Sequence, residues 1–196
     1  MNRVLNKSWF SFDKKEETRE SIILIMLALL IPMFLGKLIS LVFGENSLVT
    51  SNSQVIIGTI VNSLLIVSAL NIKGIKKIIG VIIVPSVASV LGGYLFGSAS
   101  VAMVWMIPGI WVGNLIFVYV FKKLMIEKKI NYFLTGLCAV TFKSLIIFGV
   151  FSLLNAFGVF PSSVIDTIKY SMGIMQGFTG ILGLLLGYLI YTSYRY

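Results

Sequence analysis

The chain has 196 residues, 58% of them hydrophobic and only 12% charged, with a mean hydropathy of +0.99 and a formal net charge of +9. An ordinary soluble domain is more polar than this, and a disordered chain far more so. The apolar residues also come in long unbroken runs instead of alternating with polar ones, which argues against a β-barrel and for an all-α integral membrane protein.

Residues 1–20 come first and stand apart. Val4, Leu5, Trp9, Phe10 and Phe12 are interleaved with Arg3 and Lys7, the composition of a short helix lying in the headgroup plane. A mixed-charge stretch follows, from Asp13 to Glu20. The first apolar run then starts too late, and runs too long, for a secretory signal.

Crossing ~30 Å of hydrocarbon takes about 20 helical residues at 1.5 Å each. Six runs meet that length, over residues 21–43, 54–72, 78–96, 101–121, 132–154 and 168–193. The connections between them are short, so residues 21–196 are expected to form one compact six-helix bundle with no soluble domain. Thirteen of the sixteen Lys and Arg lie in the N-terminal segment, the second and fourth connections (Lys73, Lys76, Lys77, Lys122, Lys123, Lys128, Lys129) and the C-terminus (Arg195). The first, third and fifth connections carry none. Positive charge is retained on the cytoplasmic side, so both termini are expected inside the cell membrane. The same asymmetry, facing anionic headgroups, accounts for the basic balance and makes membrane lipids, not nucleic acid, its partner. Tyr94, Tyr132, Tyr191, Tyr194 and Tyr196 fall near span ends, where an interfacial aromatic belt is expected.

The residues that are missing narrow the chemistry. There is no His, a single Cys (Cys138) and no Asp or Glu inside any long apolar run. A metal centre needs clustered His, Cys or carboxylate ligands, and a proton-driven pump an intramembrane carboxylate or His. No nucleophile, base and orienting acid can be assembled either, so neither an enzyme nor a cofactor is expected.

Three basic residues remain inside the spans: Lys37, Lys143 and Lys169. Lys37 belongs to the outer half of the first span, within reach of external headgroups or Glu45. Lys169 opens the sixth span three residues after Asp166. Lys143 is different, being twelve residues from both Asn131 and Asn155, or ~18 Å of helix from either end. An ammonium at that depth costs roughly 2.5–3.5 kcal/mol on insertion scales, so it must be capped by amide or backbone oxygen, hydrated, deprotonated, or neutralised by an anion from outside. Asn62, Asn114 and Gln176, with Thr59, Ser63 and Ser144, lie at depths from which they can complete a pocket; Trp105, Met106, Tyr94 and Tyr170 can wall it. Polar residues at such positions also serve as interhelical contacts, and Lys143 itself can act as helix glue. Pro32, Pro85 and Pro108 interrupt three spans, and Gly173, Gly177, Gly180 and Gly187 give the sixth a small-residue face for close helix packing.

The run Gly58-Thr59-Ile60-Val61-Asn62-Ser63-Leu64-Leu65, then Pro85-Ser86-Val87-Ala88, then Met106-Ile107-Pro108-Gly109-Ile110-Trp111-Val112-Gly113-Asn114, resembles the substrate-binding S components of energy-coupling factor transporters in order and spacing over residues 54–154. The resemblance implies a vitamin-like small solute bound from outside within the outer half of the bundle. It also implies a partner complex of a transmembrane coupling subunit and two ATPase subunits, since this chain carries no G-x-x-x-x-G-K-[ST] loop of its own. Where many members carry Ala-x-x-x-Ala on the first helix for docking to the coupling subunit, this chain has Ala28 followed by Pro32. No ligand residue is carried over. Lys143, Asn62, Gln176, Trp105, Asn114, Lys37, Lys169 and Tyr94 are the candidate substrate-binding residues, chosen by depth, charge and aromatic character. Two functions are weighed: uptake of an anionic or carboxylate-bearing nutrient, and a non-transporting structural or regulatory subunit.

Overall fold

A computed structural model describes residues 15–44, 47–93, 95–96 and 99–193. The expected headgroup helix of the N-terminal segment, Tyr94, Tyr194, Arg195 and Tyr196 lie outside the described residues. Those described form α1 (Lys15–Leu30), α2 (Gly36–Phe43), α3 (Leu48–Ser51), α4 (Ser53–Asn71), α5 (Ile75–Gly92), α6 (Ile107–Phe121), α7 (Tyr132–Ala156), α8 (Ile165–Met172) and α9 (Ile174–Ser193). They combine into six helical units long and apolar enough to cross a membrane: Thr18–Phe43, Ser53–Asn71, Ile75–Gly92, Ala102–Glu127, Tyr132–Ala156 and Ile165–Ser193. This is the architecture of a multi-pass membrane protein, and the spans fall within a few residues of those read from hydropathy.

Helix is the form in which a chain this apolar satisfies its own backbone, and local residues fix where it begins and bends. Asn131 caps α7 by accepting from the Phe133 N–H at 2.9 Å, and Ser47 caps α3 by accepting from Thr50 at 3.1 Å. The three prolines act in three ways. Pro32 sits in a π-helical turn, Ile31–Leu35, that joins α1 to α2. Pro85 lies inside α5, where its missing N–H leaves the Val81 carbonyl without its helix donor. Pro108 stands in the first turn of α6, a position where no helix bond is lost.

The spans pack into one bundle in which α4 lies along α9, α6 along α7 and α1 along α5. Gly180 closes on Val140, and Gly183 and Gly187 close on Asn62 and on Ile66 with Tyr132, so the glycine face expected on the sixth span is a packing seam inside the chain. Gly173 does something else. It breaks the span into α8 and α9, and a Cβ there would lie 2.8 Å from the Lys169 carbonyl oxygen.

Two expectations for the loops and belt are corrected. The fourth span does not end at residue 121 but continues as a π-helical stretch, Lys122–Glu127. Lys122 is consequently not a loop residue: it is 1% exposed and donates to the carbonyl of Ile72 at the end of α4, while Lys123 faces out and pairs with Glu127 at 2.6 Å. A lysine at a helix C-terminus satisfies a carbonyl that has no intrahelical partner. Replacing Lys122 with Met should therefore destabilise the protein by about 1–3 kcal/mol through that orphaned buried carbonyl, measured by thermal unfolding in detergent. Tyr132 likewise does not join the belt. It is buried, donates to the Leu184 carbonyl at 2.9 Å, stacks on Tyr191, and meets Phe121 edge-on and Tyr188 at a tilt.

Candidate functional site

The apolar interior is split into two cores. The larger holds Leu65, Ile66, Ile78, Phe117, Phe121 and Ala139, towards the end of the bundle that carries the basic connections. The smaller holds Met103, Met106, Ile147, Phe151, Ile168 and Met172, towards the end whose connections were read as free of Lys and Arg. A cavity of about 70 Å³ opens at their junction. It is built from the halves of α4, α5, α6 and α9 nearest the basic-poor end, with Lys143 of α7 in its wall.

Lys143 is 3% exposed. Its Nζ donates to Asn62 Oδ1 at 2.5 Å and stands 5.4 Å from the centroid of the buried Phe117 ring. With that N–H donating, the Asn62 amide is oriented: Oδ1 faces the lysine and Nδ2 donates to Thr179 Oγ1 at 3.3 Å. Thr179 in turn donates to the Met175 carbonyl at 2.7 Å. One directed chain of donors thus ties α7 to α4 and α4 to α9. Lys143 has three N–H groups and the chain uses one; the ring face offers a second, weaker contact.

Asn114 is held from the other side by α5, beside Pro85. Its Nδ2 donates to the Ile82 carbonyl at 3.1 Å, and one helical turn earlier Trp111 Nε1 donates to the Ile83 carbonyl at 3.2 Å and to Ser86 Oγ at 2.8 Å. These bonds fasten α6 to α5 on the turn that carries Pro85. With Nδ2 committed, Asn114 Oδ1 is left buried without a hydrogen-bond partner on a residue that lines the cavity. Swapping the amide would set its oxygen against the Ile82 oxygen, so the orientation is fixed by chemistry as well as by geometry.

The break at Gly173 organises the third side. Ser171 Oγ donates to Gln54 Oε1 at 3.1 Å, and the Ser171 carbonyl accepts from Gln54 Nε2 at 3.4 Å and Gln176 Nε2 at 3.2 Å. Gln54, Gln176, Ser86, Ser89 and Thr179 give the cavity polar walls, and Pro85, Phe96, Met103, Ile110 and Met172 apolar ones. Among the described residues, no Asp or Glu lines it.

Of the candidates read from sequence, Lys143, Asn62, Asn114 and Gln176 are brought together here. Lys37, Lys169 and Trp105 are not. Lys37 is exposed on the outer face of the first span, in a shallow groove between Phe34 and Leu41. Lys169 is exposed on α8, whose inward positions are Ile168, Ser171 and Met172. Trp105 is 61% exposed because residues Ala102–Met106 wind as a 3₁₀ helix, in which i and i+3 share a face; Met103 and Met106 turn inward and Trp105 outward. Tyr170 is exposed too, Met106 is buried in the smaller core, and Thr59 and Ser144 are half-buried, their hydroxyl oxygens sealed and unpartnered, and do not line the cavity. Tyr94 lies outside the described residues.

Sequence reasoning did not single out Gln54, Ser86, Ser89 or Thr179 as ligand-facing. Thr179 stands three residues from Gln176 and Gln54 eight from Asn62, so helical spacing from the chosen amides was the available signal.

Compared with known proteins, the chain matches no family model, no curated protein and no solved structure.

Proposed function

We propose that the protein is a membrane-embedded substrate-binding subunit for uptake of a small anionic or carboxylate-bearing nutrient, of the kind found as S components of energy-coupling factor transporters. The observation that carries this reading is a buried lysine, held by one bond to Asn62, in the wall of a cavity that amide and hydroxyl side chains line and no carboxylate among the described residues does. Lys143 neutralises the solute's negative charge, and Asn62 holds the lysine in place. Gln54 and Gln176 bond its polar edge, and Met103, Ile110 and Met172 meet its apolar part. The cavity volume lies below the roughly 300–1,000 Å³ of drug-sized sites, which favours the small end of the vitamin-like class. Reorientation is driven by a separate coupling subunit and two ATPases; the chain serves as the solute-selective part.

The positive-inside pattern supports an orientation with both termini in the cytoplasm of a bacterial plasma membrane and the cavity in the external half of the bundle. In a Cys138→Ala background, Ser162→Cys should react with a membrane-impermeant maleimide in intact cells, and Lys76→Cys only after permeabilisation. The reverse pattern would invert the direction of uptake.

The solute-binding reading is tested by native mass spectrometry of the purified protein followed by thermal-shift screening of small acids and vitamins, since a ligand of the folded state raises the melting temperature. Co-purification of ATPase subunits tests the transport assembly separately. The second reading, a structural or regulatory subunit, is favoured by the Lys143 to Asn62 bond, which joins α7 to α4 as helix glue does.

A further inference from the structure

We propose that the first span carries a binding site for one anionic phospholipid, with an acyl chain in the groove at the join of α1 and α2 and the headgroup on Lys37. This site does not depend on the inner cavity being a solute site. The groove is lined by six apolar residues between Leu30 and Leu41 and by Lys37, with the π-helical turn Ile31–Leu35 at its centre. Phe34, Leu38 and Leu41 are each more than half exposed, on a span long and apolar enough to cross a membrane, so what fills the groove is itself apolar.

The apolar residues alone would take any lipid chain, and Lys37 supplies the selectivity. It is exposed, and among the described residues no Asp or Glu lines the groove. It stands six residues before Phe43, the last residue of α2, or ~9 Å of helix from the end of the span. Over that distance a lysine lays its stem along apolar neighbours and lifts its ammonium to the headgroups. A zwitterionic headgroup already holds a cation for its own phosphate, whereas an anionic one leaves that charge for the lysine. The setting makes this one cation decisive. At the basic end of the bundle Lys73, Lys76 and Lys77 follow one another, and Ser21, two residues from Arg19, bonds the Lys77 carbonyl, so no single side chain there sets a lipid preference. At the other end the cations among the described residues are Lys37 and Lys169, and Lys169 shares α8 with Asp166.

The test reconstitutes the purified full chain in vesicles of phosphatidylcholine and phosphatidylglycerol, with one lipid or the other brominated. A bimane fluorophore on Phe34→Cys, in a Cys138→Ala background, reports by quenching which lipid occupies the groove. Phosphatidylglycerol should be preferred there by roughly fivefold, the effect of one basic residue near an anionic surface. Lys37→Met should abolish the preference and Lys37→Arg retain it, and because residue 37 is exposed both variants keep the buried contacts of the fold. A second reporter, on Leu145→Cys of α7, where the exposed neighbours Phe142 and Phe148 carry no charge, should show no preference. Equal ratios at the two positions, or a preference at residue 34 that survives Lys37→Met, overturn the site and leave only general attraction of anionic lipid to a basic protein. Quenching at residue 34 by neither lipid overturns it as well, because the groove is then covered by a second copy of the chain.

Discussion

Replacing Lys143 with Met is expected to remove binding of an anionic solute while leaving the ligand-free protein inserted, folded and close to wild-type stability. Truncating one member of a buried charge pair costs about 2–5 kcal/mol, which reads as a loss of roughly 30-fold or more in Kd. The stability side follows from two opposed quantities. Taking an ammonium out of hydrocarbon relieves ~2.5–3.5 kcal/mol on insertion scales, while losing its charge-assisted bond to Asn62 costs ~1.5–3 kcal/mol. These nearly cancel. Asn62 also keeps its Nδ2 bond to Thr179. A protein using Lys143 only as glue differs in the binding arm: the same substitution has no solute affinity to remove. Calorimetry and thermal unfolding on one preparation distinguish the two outcomes, and loss of stability without any ligand effect would reject the solute site.

The bundle was readable because bilayer thickness sets span length, and length and apolarity are properties of contiguous sequence. Depth was readable for the same reason: counting 1.5 Å per residue puts Lys143, Asn62, Asn114 and Gln176 at similar levels, and they share a cavity. Azimuth was not. Trp105 has the right depth and faces out, because five residues wind as a 3₁₀ helix and displace it from the face a regular α-helix would give it. Lys37 and Lys169 also lie on outward faces of their helices, which depth alone does not disclose. Lys122 was misplaced for another reason. A basic pair reads as the end of a span, yet one partner faces out to Glu127 while the other turns in to the Ile72 carbonyl, a contact 50 residues away in sequence. The state of Asn114 Oδ1 was likewise beyond reach, since it depends on which carbonyl of α5 takes up its Nδ2, and that is set by how α6 packs beside the proline.

Gly183→Ala should damage both the fold and the site, and more severely than any other glycine substitution on the cavity side of α9. A Cβ at this position would overlap Asn62 Cβ and lie 3.0 Å from the Thr59 carbonyl oxygen. Neither neighbour can give way as the tip of a flexible side chain does, because one is the first side-chain atom and the other is backbone. The helices α4 and α9 must then separate along the seam where they run side by side, which for an overpacked core costs about 1–3 kcal/mol. Separation also lengthens the Asn62 Nδ2 to Thr179 Oγ1 bond, already 3.3 Å, and swings the Asn62 oxygen away from Lys143. Solute affinity is expected to fall together with the melting temperature. Gly149→Ala supplies the comparison: nothing lies within 4 Å of its added methyl, and alanine is the better helix former by about 1 kcal/mol, so that variant should match or exceed wild-type stability and bind normally. Thermal unfolding and ligand titration of both variants check the pair. A Gly183→Ala protein as stable as the Gly149→Ala one would mean that the close approach of α4 to α9 does not hold Asn62 in place.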